Sequence, residues 1–248
     1  KGTWSDLFDY ESLQNKYPVL GVVLWYLTIT LLGWVLYPTG RLIFRGLTDK
    51  GFPLLKLSGL ILWTLGVWWL GSAGVSISRW TILAVLAVLV LFNLWLGWRN
   101  RGEIRTEISE NRGLFLKFEL YALAFFLAFL LVRLGNPDLW HPYKGGEKPM
   151  DFSYFNAVLK SDTFPPYDPW YAGGYINYYY YGFVLAAVPV KLLGIVPSIA
   201  YNLILPTFFS FTAMAAFSFG WNLFPSLERK KIGRASCRER VYISVVAV

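Results

Sequence analysis

Residues 80–98 read WTILAVLAVLVLFNLWLGW, nineteen positions without a charged side chain. A helix rising 1.5 Å per residue needs about 20 apolar residues to cross the roughly 30 Å hydrocarbon core of a bilayer, and this run meets that length. A membrane-spanning β-strand alternates polarity over about ten residues, whereas this run is continuously apolar, so a helix is expected. Trp80 and Trp98 stand at its ends, where the membrane interface favours such rings.

Working outward, residues 18–37 and 52–75 repeat the pattern before this run, and residues 119–134, 180–197 and 199–224 repeat it less uniformly after it. The expected fold class is all-α: a polytopic integral membrane helix bundle of about six transmembrane helices. With 56% hydrophobic and 15% charged residues, the chain has too little polar surface to cover such helices as a water-soluble core. No repeat of solenoid or propeller length is visible, so residues 1–230 read as one membrane domain. The chain starts at Lys1 with no cleavable signal before the first span, so the native N-terminus is expected upstream. Residues 231–248, KIGRASCRERVYISVVAV, change composition abruptly and read as a non-native tail.

That tail carries four Lys/Arg and one Glu, so without it the formal net charge falls from +8 to +5, and Cys237, the only cysteine, goes with it. What remains has no disulfide and no thiol nucleophile, and the lone His141 does not supply a typical zinc site. The basic balance reads as membrane topology and not as nucleic-acid binding. Arg41, Arg45 and Lys50 follow the first span, and Arg99, Arg101, Arg105, Arg112 and Lys117 follow the third. Both loops are expected at the cytoplasmic face of the cell membrane, which puts residues 135–179 outside. The acidic residues there (Asp138, Glu147, Asp151, Asp162, Asp168) outnumber Lys144, Lys148 and Lys160. Six crossings would also put Arg229 and Lys230 outside, against the same rule.

The long loop and its exit, residues 135–182, read GNPDLWHPYKGGEKPMDFSYFNAVLKSDTFPPYDPWYAGGYINYYYYG. A connector of this length is usually functional or disordered, and its density of Trp, Tyr and Phe argues for order. Phe152, Phe155 and Leu159, with Val158, recur at helical spacing and predict a surface helix ending near Ser161, with Ser153, Asn156 and Lys160 facing water. Asp151, at the start of that stripe, is a candidate general base or cation ligand, and equally a candidate helix cap. Glu147 lies one turn earlier and is a candidate partner, or a surface partner of Lys144 or Lys148. Asp168, in Pro-Tyr-Asp-Pro-Trp, is a candidate ligand contact, although Asp commonly stabilises such a turn. Trp170, Tyr175, Asn177, Tyr178 and Tyr179 belong to an aromatic cluster fit for a sugar or lipid headgroup, or to an interfacial belt. Arg133, where the fourth span meets the loop, suits a phosphate or pyrophosphate, while Lys191 in the fifth span is expected to snorkel to a headgroup. Neither a metal nor any other cofactor is specified by this set.

The strings NPDLWHP, GGEKPMDF, FPPYDPWYAGG and INYYYYG resemble the YYY-domain membrane family, an uncharacterised group found mainly in archaea and Chloroflexi, over roughly residues 18–224. The order of acidic residue, surface helix, Pro-containing turn, Gly, aromatic cluster and next span is also distantly similar to the first external loop of GT-C membrane glycosyltransferases. The adjacent acidic pair usual in those enzymes is absent, and four spans precede the loop where they typically have one. What the resemblance implies is an outward-facing enzyme using a polyprenyl-phosphate sugar from the membrane lipid, with Asp151 and Glu147 in the acidic role and the tyrosines as a substrate wall. The alternative is a transporter or lipid-binding membrane protein without covalent chemistry.

Overall fold

A computed structural model describes residues 4–139, 146–177 and 179–223. Two short turns, α1 (Trp4–Leu7) and α2 (Leu13–Lys16), lead into α3 (Pro18–Val35), which starts with proline at its first position, where the missing N–H costs nothing. After α4 (Tyr37–Ile43) and a 3-10 turn (Phe52–Leu54) come α5 (Leu55–Ser72) and α6 (Arg79–Arg99). The Ser78 hydroxyl caps α6 by accepting from the Thr81 N–H at 3.2 Å. The remaining helices are α7 (Arg101–Gly135), α8 (Lys148–Lys160), α9 (Tyr181–Leu193) and α10 (Pro197–Leu223). Among the described residues there is no strand, only an isolated bridge between Tyr167 and Tyr175.

The protein is thus an all-helical membrane bundle, and its two ends are fixed by polar contacts. At one end Arg41 of α4 binds Glu107 at 2.8 Å and Glu103 at 2.9 Å on α7, and Thr48 donates to Asn222 near the end of α10 at 2.9 Å. At the other, Arg133 near the end of α7 binds Asn202 near the start of α10. So α7 and α10, the most extensively packed helix pair, run antiparallel. The long loop therefore leaves from the end of the bundle opposite Arg41.

Among the described residues five helices are long and apolar enough to cross a membrane: Pro18–Val35, Phe52–Ser72, Arg79–Arg99, Arg101–Gly135 and Pro197–Leu223. The predicted span over 180–197 differs. Its helix, α9, has 13 residues and reaches only about 20 Å. It starts with the Tyr181 hydroxyl 3.3 Å from Thr64, midway along α5. It ends where the Leu193 and Gly194 carbonyls accept from Gln14 and Asn15, just ahead of α3 and on the loop side. Both of its ends lie in the loop half of the bundle, and α9 by itself is shorter than the roughly 30 Å hydrocarbon core. Gly194, at φ 65°, takes the left-handed turn that ends it, and Pro197 starts α10 immediately. The last residues of α10 lie at the Arg41 end, where Asn222 accepts from Thr48. Arg229 and Lys230 lie outside the described residues.

A second difference concerns residues 99–117, predicted as a basic loop. Only Asn100 separates α6 from α7, and the basic stretch is the first half of a 35-residue helix about 52 Å long. Glu103 and Glu107 point to Arg41, while Ile104, Ile108 and Leu114 pack against a cluster centred on Tyr37, Phe52 and Phe115. The charges there were solvated faces of a helix.

Candidate functional site

The predicted surface helix is present as α8, and its stripe holds it down: Phe155, Val158 and Leu159 are buried against the bundle. It lies beside α9 and over the start of α10, where Phe152 meets the Tyr201 ring edge-on at 5.7 Å. Asp151 sits in the first turn of α8, four residues after the N-cap, Glu147, and neither Glu147 nor Asp151 makes a side-chain cap bond. The capping role weighed for Asp151 is therefore not the one it has. Burial, and secondarily the Glu147 carboxylate one turn away, raise the Asp151 carboxyl above the ordinary aspartate value.

Asp151 opens onto an apolar slot of about 220 Å³ between three helices. Phe155 of α8, Gly182, Phe183 and Ala186 of α9, and Tyr201, Ile204, Leu205 and Phe208 of α10 line it, with Tyr179 at the mouth. Asp151 is the one carboxylate on this lining.

Arg133 is buried but does not line the slot. Its Nε and Nη2 donate to the Asn202 side-chain Oδ1 at 2.9 and 2.5 Å, and the Asn202 Nδ2 in turn donates to the Ser198 backbone carbonyl at 3.0 Å. The guanidinium stands on the neighbouring position of α10 from Tyr201. Lys191 is buried too, and it does not snorkel: its ammonium donates to the Ser161 carbonyl at 3.2 Å.

The other predicted residues lie elsewhere. On the opposite face of α8 a polar hollow of about 580 Å³ is bounded by Ser153, Asn156 and Lys160 of the helix and by Asp162, Asp168, Tyr167 and Tyr175 of the loop. The Tyr167 and Tyr175 rings stack at 4.7 Å. Asp168 accepts from the Trp170 N–H at 2.8 Å, the turn-stabilising role that competes with ligand contact. Trp170 is exposed over a separate shallow hollow with Leu139, Pro149 and Phe152, and Asn177 is exposed without reaching either site. Tyr178, like His141 and Lys144, lies outside the described residues.

The residues read from the loop thus divide into a slot with Asp151 and Tyr179 and a hollow with Asp168 and Tyr175. Glu147 touches the slot only through its field. Among the described residues no three His, Cys, Asp or Glu side chains gather to hold a metal ion, and Asp151 with Glu147 alone does not make such a set. The residues missed are Tyr201 and its neighbours on α10, fifty positions beyond Asp151, for which the loop sequence carries no signal.

A family model described as "Uncharacterized membrane protein (DUF2298)" matches residues 62–247, three quarters of the chain. The chain belongs to this family. The family match begins within α5 and takes in the slot, the hollow and the whole of α9, together with residues 231–247 of the stretch read as a tail, which lie outside the described residues. No curated protein and no solved structure matches the chain.

Proposed function

We propose that this DUF2298 member is a GT-C-like glycosyltransferase that takes a polyprenyl-phosphate sugar at the outer face of the cell membrane. The observation that carries the reading is the Asp151 carboxylate at the mouth of an apolar slot between α8, α9 and α10. A lipid-linked donor needs both halves: apolar walls for its isoprenoid and a proton acceptor where its sugar meets water. The distant likeness of the loop to the GT-C external loop agrees with it. The excess of Lys and Arg at the Arg41 end, by the positive-inside rule, turns the slot outward.

In this mechanism Asp151 takes the proton of an acceptor hydroxyl. The acceptor oxygen forms a bond to the anomeric carbon, the bond from that carbon to the phosphate oxygen breaks, and the lipid phosphate leaves with the electron pair. The raised Asp151 value makes its carboxylate a better proton acceptor than an ordinary aspartate. Arg133, fixed by Asn202 behind Tyr201, adds positive charge near the donor phosphate, and the acceptor enters beside Tyr179, on the same face of α8 as Asp151. The test is transfer of labelled sugar from a polyprenyl-phosphate donor by the purified full chain in proteoliposomes. Product absent across donor sugars would overturn the reading.

The rival reading, a transporter or lipid-binding protein without covalent chemistry, gains from one observation. The short α9, with Pro189 inside it, is the kind of interrupted helix that transporters place at their substrate sites. Uptake of an intact lipid-linked sugar into vesicles, with the sugar still attached, would favour it.

A further inference from the structure

At the end opposite the slot a groove of about 770 Å³ opens between α3, α6 and α7. It exists because α6 and α7, joined by a single residue, then diverge: α7 packs chiefly on α10 while α6 packs on α4, α5 and α9. Leu31, Trp34, Leu94, Ile104 and Ile108 make its deeper wall. The polar group there, Asn93, is already committed, accepting from the Thr39 hydroxyl at 2.8 Å and donating to the Leu89 carbonyl at 2.9 Å. The depth of the groove is therefore apolar in effect. Its outer end is different in kind: Arg101 and Arg105, one turn apart on α7, line it beside Trp98.

The charges of α7 are sorted by face. Glu103 and Glu107 turn toward Arg41 and are neutralised there, so no carboxylate lines the groove. Neither Arg101 nor Arg105 has an ion-pair partner among the described residues. Along α6 the exposed Val88, Leu91 and Leu94 continue the apolar path away from the arginines toward the middle of the membrane.

We infer that this groove binds one anionic phospholipid, its phosphate on Arg101 and Arg105 and an acyl chain along α6 toward Leu31. The polarity gradient of the groove is that of a lipid, and basic pockets between transmembrane helices on the cytoplasmic side take anionic headgroups. The site is independent of the proposed transfer chemistry and lies at the opposite end of the molecule.

Native mass spectrometry of the full chain, with phosphatidylglycerol, phosphatidylcholine of the same acyl chains, and glycerol 3-phosphate as probes, tests the proposal. Phosphatidylglycerol is expected to be retained over phosphatidylcholine, and Arg101→Gln/Arg105→Gln to weaken it about thirtyfold. Gly97→Leu, which fills the groove floor near Pro38 and leaves both arginines, is expected to reduce retention of both lipids. Equal retention of the two lipids by the parent protein, unchanged retention in the double variant, or glycerol 3-phosphate binding as tightly as the lipid would each overturn it.

Discussion

Asp151→Asn removes a proton acceptor while leaving the outline of the slot unchanged. If the carboxylate is the general base, the rate falls by about 10² to 10⁴, equivalent to about 3 to 5 kcal/mol of barrier. Stability should hardly move. The side chain makes no cap bond, and an acidic group in a first helical turn contributes only about 0.3–1 kcal/mol through the helix dipole. Against that loss stands the desolvation of the carboxylate. Because the fold raises its pKa, the neutral form is the favoured one: the contribution of this group is fully present below the ordinary aspartate value and is lost as pH rises through the raised one. Asparagine, always neutral, keeps that contribution at neutral pH, so the variant should melt within a few degrees of the parent in detergent. A companion, Glu147→Gln, removes the like charge one turn away. The Asp151 pKa then falls, and the acid limb of the rate profile moves to lower pH with its plateau preserved. The assay is the initial rate of sugar transfer in proteoliposomes from pH 4 to 9, alongside melting curves. Full activity in Asp151→Asn, a melt far below the parent, or an acid limb that stays put in Glu147→Gln would refute the reasoning.

Three further outcomes follow from the packing. In a Cys237→Ser background, Gly46→Cys and Leu223→Cys should label from one side of sealed vesicles and Tyr171→Cys from the other; Leu223→Cys labelling with Tyr171→Cys would mean that α9 crosses. Asn15→Ala orphans the Gly194 carbonyl and the Val196 N–H, each bonded to Asn15 at 2.9 Å, and should cost about 2–4 kcal/mol in a detergent unfolding assay. Lys56→Met strands Glu119, its partner at 2.5 Å between α5 and α7, at about 3–5 kcal/mol, whereas Lys56→Met/Glu119→Met should cost clearly less; additive losses would show that the two charges do not depend on each other.

What the sequence revealed and what it hid divide along a physical line. The α6 run is apolar because it faces lipid: Val88, Leu91 and Leu94 are exposed in the bundle, and Ile82 and Asn93 are its buried residues. Hydropathy reads such a helix directly. In α9 the apolar residues, Val184 and nearly all of 186–191, are buried by protein, and a hydropathy window does not distinguish a protein core from a lipid one. The stops at Gly194 and Pro197 were the available signal that this helix is short. For α7 the charges between Arg99 and Lys117 outweighed the helical spacing of Ile104, Ile108 and Phe115. Asp151 and the α8 stripe were legible because they are local. Tyr201 was not, because its approach to Asp151 depends on how α10 packs under α8.

The same packing explains what holds α9 beside α8, the helix that carries Asp151. Four polar side chains hold the far end of α9: Asn15 and Gln14 on the Gly194 and Leu193 carbonyls, Arg79 on the Lys191 carbonyl at 3.0 Å, and Lys191 on the carbonyl of Ser161, the C-cap of α8. At its near end Tyr180 accepts from Trp68 at 3.0 Å and Tyr181 meets Thr64, so two members of the tyrosine run serve to seat α9 against α5. Tyr179, one position earlier, is left at the slot mouth. A run of tyrosines that composition alone assigns either to a substrate wall or to an interfacial belt therefore does two jobs in sequence order. Its first described member faces the site, and the next two fix the helix that forms one wall of it. Substituting Tyr180 or Tyr181 would change the slot indirectly, by loosening α9, whereas substituting Tyr179 would change the mouth and leave the helix in place.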